Sequence, residues 1–134
     1  MYIIKLNAID STNDYLKMLN IKKTPKDFTV VVAENQTNGR GQMGTVWNAE
    51  QGKNLTFSVF KTVSFLNVTN QFYISMSVAL GVISALKELQ IPKLNIKWPN
   101  DILAEQKKIA GILIENVIKN NRLCLLYTSP SPRD

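Results

Sequence analysis

The segment Phe28 to Ala33 (FTVVVA) reads as a continuous apolar run of strand length, with Asp27 before it and Glu34 after it. An alternating strand can leave one face in water, whereas an unbroken run needs cover on both faces or a place at the centre of a sheet. The rest of the chain offers that cover. Tyr2 to Leu6 predicts a short strand, and Ser11 with Asp14 three residues on gives a capping-box pattern for a helix through about Leu19. Ile21 to Asp27, with its lysines and Pro25, predicts a loop. Asn54 to Lys61 predicts a strand with Leu55, Phe57 and Val59 on one face. Thr69 to Gln90 is the longest helical pattern, with Phe72, Met76, Ala79, Val82, Ile83, Leu86 and Leu89 at helical spacing and Pro92 beyond its end. Leu94 to Trp98, Lys108 to Val117 and Leu123 to Tyr127 predict further strands, with Asn120-Asn121 as a hairpin turn between the last two. One long helix and several hairpin-like strands predict an α+β fold with a mixed or antiparallel sheet.

Composition limits the chemistry. At 134 residues, 45% hydrophobic and 19% charged, the chain has material for one globular domain and too little charge for a disordered one. It has no histidine and a single cysteine, Cys124. Ser-His-Asp and Cys-His catalysis, intramolecular disulfides and the usual zinc ligands are thereby excluded for this sequence. Chemistry must rest on lysine, arginine, carboxylates and backbone N–H groups. The net charge of +6 favours anionic partners without choosing among them. The N-terminal segment is too polar for a signal sequence, and no apolar run approaches the roughly 18 residues of a membrane span, so a cytoplasmic, reducing setting is expected.

Three segments carry candidate chemistry. Gln36 leads into Gly39-Arg40-Gly41-Gln42-Met43-Gly44, with Trp47 following. Glycines there let backbone N–H groups approach an anion, and Arg40 adds a forked cation, as in a phosphate or carboxylate cradle. The dinucleotide-binding reading of this spacing fails because a strand follows in place of a helix. Lys97-Trp98-Pro99-Asn100-Asp101 sits at a strand end entering a tight turn, where a carboxylate beside a lysine can hold Mg²⁺ or position a phosphate. Lys107-Lys108 leads into Ile109-Ala110-Gly111-Ile112-Leu113, which places Lys108 at a strand start as an electrophilic clamp. Ser11-Thr12-Asn13 is accounted for by helix capping.

In order and spacing, Ser11-Thr12-Asn13, Gln36 with Gly39 to Gly44 and Trp47, Lys97 to Asp101, and Lys108 to Leu113 resemble the biotin protein ligases, also called biotin–[acetyl-CoA-carboxylase] ligases. The resemblance implies a fold like the class II aminoacyl-tRNA synthetase catalytic domain, a mixed sheet with helices packed on one face, here incomplete. It implies ATP- and Mg²⁺-dependent activation of biotin to biotinyl-5′-AMP, then transfer to a lysine of a biotin carboxyl carrier protein. By position, Ser11, Thr12, Asn13, Gln36, Gly39, Gly111 and Ile112 would bind biotin. Gly41, Gly44, Trp47, Lys97, Asn100 and Asp101 would bind ATP or the adenylate, with Asp101 as the Mg²⁺ ligand. Lys108 and Arg40 would be catalytic. Gln42 stands where many members carry arginine. No DNA-binding segment precedes Met1, so no DNA partner is expected, nor a membrane one, and a monomer or weak homodimer is the expected state. Lipoate–protein ligases share the chemistry but carry a different glycine loop; a non-catalytic biotin-binding fragment is the other alternative.

Residues 1–123 are expected to form the N-terminal part of the catalytic domain. Residues 124–134 are expected to be a non-native or disordered tail, because Pro130 and Pro132 lack strand donors and the resemblance dissolves near Cys124.

Overall fold

A computed structural model of the chain describes residues 1–40, 46–47, 55–63, 71–98, 100–119 and 122–128. The elements in order are β1 (Tyr2–Ile9), α1 (Thr12–Lys22), β2 (Thr29–Gln36), β3 (Gly39–Arg40), β4 (Val46–Trp47), β5 (Thr56–Thr62), α2 (Gln71–Glu88), β6 (Leu94–Lys97), β7 (Asp101–Ala104), β8 (Lys107–Gly111), β9 (Leu113–Lys119) and β10 (Arg122–Thr128). A five-stranded sheet runs β1-β2-β5-β10-β9, a three-stranded sheet β6-β7-β8, and β3 pairs with β4.

The apolar run of β2 lies inside the larger sheet, parallel to β1 and antiparallel to β5. Val30, Val31 and Ala33 are buried, as an unbroken run requires. Between β1 and β2 the chain passes through α1, the crossover that two parallel neighbours need. Ser11 caps this helix: its backbone is extended and its Oγ accepts from the Asp14 N–H at 3.3 Å. Asp14 in the first turn and Lys22 in the last complement the helix dipole.

The face of β5 that sequence alternation singles out is not the most deeply buried one. Thr56, Ser58 and Phe60 are enclosed, and Leu55 is exposed. Phe60 joins Leu16 and Val31 in a core against α1, while Phe57 and Val59 pack with α2 in a second core around Ala79, Ile102, Ala110 and Ile112. The mixed α+β architecture is the expected one, and α1 adds cover on the opposite face of β5. On α2 the inward stripe is Ile74, Val78, Ala79, Val82, Ile83 and Leu86, whereas Phe72 and Leu89 are exposed. Compact aliphatic side chains at i, i+4 spacing fit against the small sheet, and the stripe is turned away from the large ring of Phe72. The helix ends with Gln90 at φ 62°, the Ile91 N–H bonded to Leu86 O and the Gln90 N–H to Lys87 O, a Schellman-type stop ahead of Pro92.

Two further differences concern the small sheet. Asp101, expected at the start of a tight turn, opens a strand, β7, whose apolar residues Ile102-Leu103-Ala104 are too few to predict one from the sequence. The segment 108–117 is two strands separated at Ile112, whose N–H bonds to Asn100 O at 2.8 Å. That break carries the chain from the small sheet to the large one. β9 and β10 pair with Lys119 opposite Arg122; the expected turn at Asn120-Asn121 lies outside the described residues. Of the expected tail, Cys124 to Thr128 belong to β10, hydrogen-bonded between β5 and β9, and residues 129–134 lie outside the described ones.

Candidate active site

The parallel pairing of β1 and β2 sets Ile9 opposite Gln36, and the ladder continues with the Thr37 and Asn38 N–H groups bonded to Ile9 O and Asp10 O. Both strands therefore end beside the N-terminus of α1. In open α/β sheets ligands recur at the carboxyl ends of parallel strands, and the one parallel pair among the described residues, β1 and β2, ends at this point.

There Thr12 donates its backbone N–H to Gln36 Oε1 at 3.0 Å, and its hydroxyl lies 3.4 Å from the same oxygen. Thr12 Oγ1 also contacts Ser58 Oγ, and the Ser58 hydroxyl donates to Asn13 Oδ1. Asn13 Nδ2 donates to Glu115 Oε1 at 3.0 Å, and Lys17 Nζ donates to Glu115 Oε2 at 2.6 Å. Thr12, Asn13 and Ser58 are all fully buried. Enclosing this many polar atoms is tolerable because each finds a partner. Of the biotin-pocket candidates, Ser11, Thr12, Asn13 and Gln36 are brought together. Sequence reasoning misses Ser58, Lys17 and Glu115; the signal available was a serine set between Phe57 and Val59 in the apolar middle of β5.

A second group forms in the small sheet. Lys97 faces Asp101 across β6 and β7, Asp101 faces Gly111 across β7 and β8, and Lys108 pairs with Leu103. Lys108 Nζ lies 3.0 Å from Asp101 Oδ1, with the two side chains 29% and 20% exposed. That buried oxygen receives charge from Lys108 but no aligned hydrogen bond. Lys97 is exposed and Asn100 half-buried. Lys97, Asn100, Asp101, Lys108, Gly111 and Ile112 are thus neighbours. Glu115, three residues past Ile112 in the chain and on β9 of the larger sheet, bonds to α1 through Asn13 and Lys17.

Of the glycine loop, the backbone pairs Gly39 with Trp47 and Arg40 with Val46. Gly41 and Gly44 lie outside the described residues, and so does Pro99.

Among the described residues no cluster of three or more acidic, histidine or cysteine side chains could hold a metal. Asp101 offers one carboxylate, which Lys108 approaches at 3.0 Å. Asp27, at the other end of α1, carries a shifted carboxyl. Burial raises its pKa, but hydrogen bonds from Lys61 and Thr62 and the charge of Lys61 outweigh this and hold it below the ordinary aspartate value of 3.8. A cavity of about 850 Å³ opens at that far end of α1, lined by Ile4, Leu19, Lys22, Lys23 and Lys26 among others. None of the candidate residues borders it, and its lining lacks the convergent buried polar groups found at Thr12. No helix among the described residues is long and apolar enough to cross a membrane.

With this geometry in place, the class is defined by a family match: residues 6–127 fit the Biotin/lipoate A/B protein ligase family, and the chain belongs to it. Within that family the similarity is to biotin ligases. The bifunctional ligase/repressor BirA of Escherichia coli (strain K12) is 38% identical over 112 residues, 82% of this chain and 33% of BirA. A structure of the Aquifex aeolicus biotin protein ligase in complex with biotin and ATP superposes with a TM-score of 0.73 at 30% identity, covering 95% of this chain and 51% of that one. The Helicobacter pylori biotin acetyl coenzyme A carboxylase synthetase shares the fold, with a TM-score of 0.80 at 23% identity over 99% of this chain and 61% of that one. The chain thus spans about a third of the curated relative's length.

Proposed function

We propose that this chain is the part of a biotin protein ligase that binds biotin and begins its activation. The observation that carries the reading is the convergence of Thr12, Asn13 and Gln36 at the ends of β1 and β2. The Aquifex aeolicus relative, bound to biotin and ATP, supports it. Ser11, Thr12, Asn13, Gln36, Gly39, Gly111 and Ile112 form the biotin side of the site in this reading. Gly41, Gly44, Trp47, Lys97, Asn100 and Asp101 serve ATP, and Mg²⁺ arrives as MgATP.

In the first step a carboxylate oxygen of biotin attacks the α-phosphorus of ATP and expels pyrophosphate, leaving biotinyl-5′-AMP. Two anions must approach, so catalysis is chiefly positioning and charge neutralisation. Lys108 is the cation for that task, with Arg40. Its ion pair with Asp101 holds it in place before substrate arrives, and the carboxylate and α-phosphate then compete for the ammonium. In the second step the amine of a carrier lysine attacks the acyl carbon and releases AMP. None of this requires a histidine or a nucleophilic cysteine.

Biotin-dependent exchange of labelled pyrophosphate into ATP tests the assignment. Exchange that needs biotin and is lost in Lys108→Ala supports it. Exchange driven by lipoate in place of biotin, or wild-type exchange in Lys108→Ala, refutes it.

A further inference from the structure

The hydrogen bonds beneath α1 have a direction that proton counting settles, and their part in ligand recognition rests on the biotin-pocket reading. Glu115, held by Lys17, is a carboxylate that accepts and cannot donate, so Asn13 meets it through Nδ2. The Asn13 carboxamide is thereby turned with Oδ1 toward Ser58, whose hydroxyl donates to it. A serine hydroxyl has one proton. With that proton engaged, Thr12 gives its own single hydroxyl proton to Ser58 Oγ, and Gln36 Oε1, 3.4 Å from that hydroxyl, is left to the Thr12 backbone N–H to satisfy. The Thr12 backbone N–H points the other way, into Gln36 Oε1. Gln36 is partly exposed, and with Oε1 committed inward it meets a ligand through its Nε2 amino group, a pair of donors.

We propose that Ser58 and Glu115 are positioning residues that act through Asn13 and Thr12 to hold Gln36 donor-side out, so that the pocket selects a ring bearing a carbonyl acceptor, such as a cyclic urea. Three strands, β2, β5 and β9, fix the first turn of α1 through this relay. Without the Ser58 hydroxyl, Asn13 Oδ1 becomes a buried acceptor lacking its donor. The turn that carries the Thr12 N–H then loses its tether to β5.

The test is calorimetric titration with biotin and with 2-iminobiotin, which at neutral pH carries a protonated donor group where biotin has its carbonyl. Wild type should favour biotin by about 10²-fold, since a site built around a polar group rejects an analogue of the wrong polarity. Ser58→Ala should bind biotin about tenfold more weakly and lose most of that discrimination, and Ser58→Thr should recover it. A merely structural role would weaken both ligands alike, so an unchanged ratio in a folded Ser58→Ala overturns the proposal. The relay is also read without ligand, by the hydrogen exchange of the Thr12 amide and the resonances of the Gln36 amino group. If wild type binds neither compound, the biotin reading fails alone: altered Thr12 and Gln36 signals in Ser58→Ala would still sustain the relay, and unaltered ones would overturn it.

Discussion

The two groups of candidate residues solve opposite problems. Around Thr12, the side chains of Thr12, Asn13 and Ser58 are fully enclosed and bonded to one another, with the partly exposed Gln36 of β2 and the Lys17–Glu115 ion pair at their edges. In the small sheet, Lys108 and Asp101 form a charged pair that is still partly open to water. A network whose central members, Thr12, Asn13 and Ser58, are neutral and fully buried preorganises recognition of an uncharged ring, because its geometry is set before the ligand arrives. An accessible cation held by a single carboxylate suits a reacting centre, where charge has to be surrendered to a substrate phosphate. Recognition and chemistry are therefore built differently within one domain.

The sharpest way to break this comparison is to remove what supports the enclosed group. Phe60→Ala opens a cavity between Leu16 and Val31, directly beneath the relay, and should cost about 3–5 kcal/mol of stability in denaturant unfolding. Lys108→Ala should do the reverse. It should lower pyrophosphate exchange by about 10²–10³-fold while changing unfolding by about 1 kcal/mol or less, since partly exposed ion pairs contribute little to stability. Gln36→Ala falls between them: it leaves the N–H of buried Thr12 without its acceptor, so biotin affinity should fall about tenfold in titration and unfolding should cost about 1–3 kcal/mol less.

The smallest effect lies at Asp27, away from both groups, and shows only in acid. Its folded pKa is lowered below 3.8, so the stability it adds is complete above that value and is lost as pH falls through the folded pKa. Asp27→Asn should therefore be less stable than wild type at neutral pH, by a difference that closes below about pH 4. A gap that widens in acid would contradict the assignment.

Much of this was legible in the sequence, for identifiable reasons. The apolar run at β2, the Ser11 cap and the long helix are local patterns, and each formed within a few residues of its predicted bounds. The nearness of Lys108 to Asp101 was implied only by resemblance, because register across three short strands is not a local property. The strand β7 escapes sequence reasoning since its four residues begin with aspartate and show neither alternation nor length. Ser58 and Glu115 escape it for a deeper reason. Their importance lies in partners 45 and 102 residues away, and no periodicity within a segment encodes such contacts.

The most direct test of the account is calorimetric titration of the folded chain with biotin, using lipoate as the control and Gln36→Ala as the variant. The account predicts heat with biotin, none with lipoate, and clearly weaker binding in the variant. A chain shown by circular dichroism to be folded that gives no heat with biotin, or that binds lipoate as well, would contradict it.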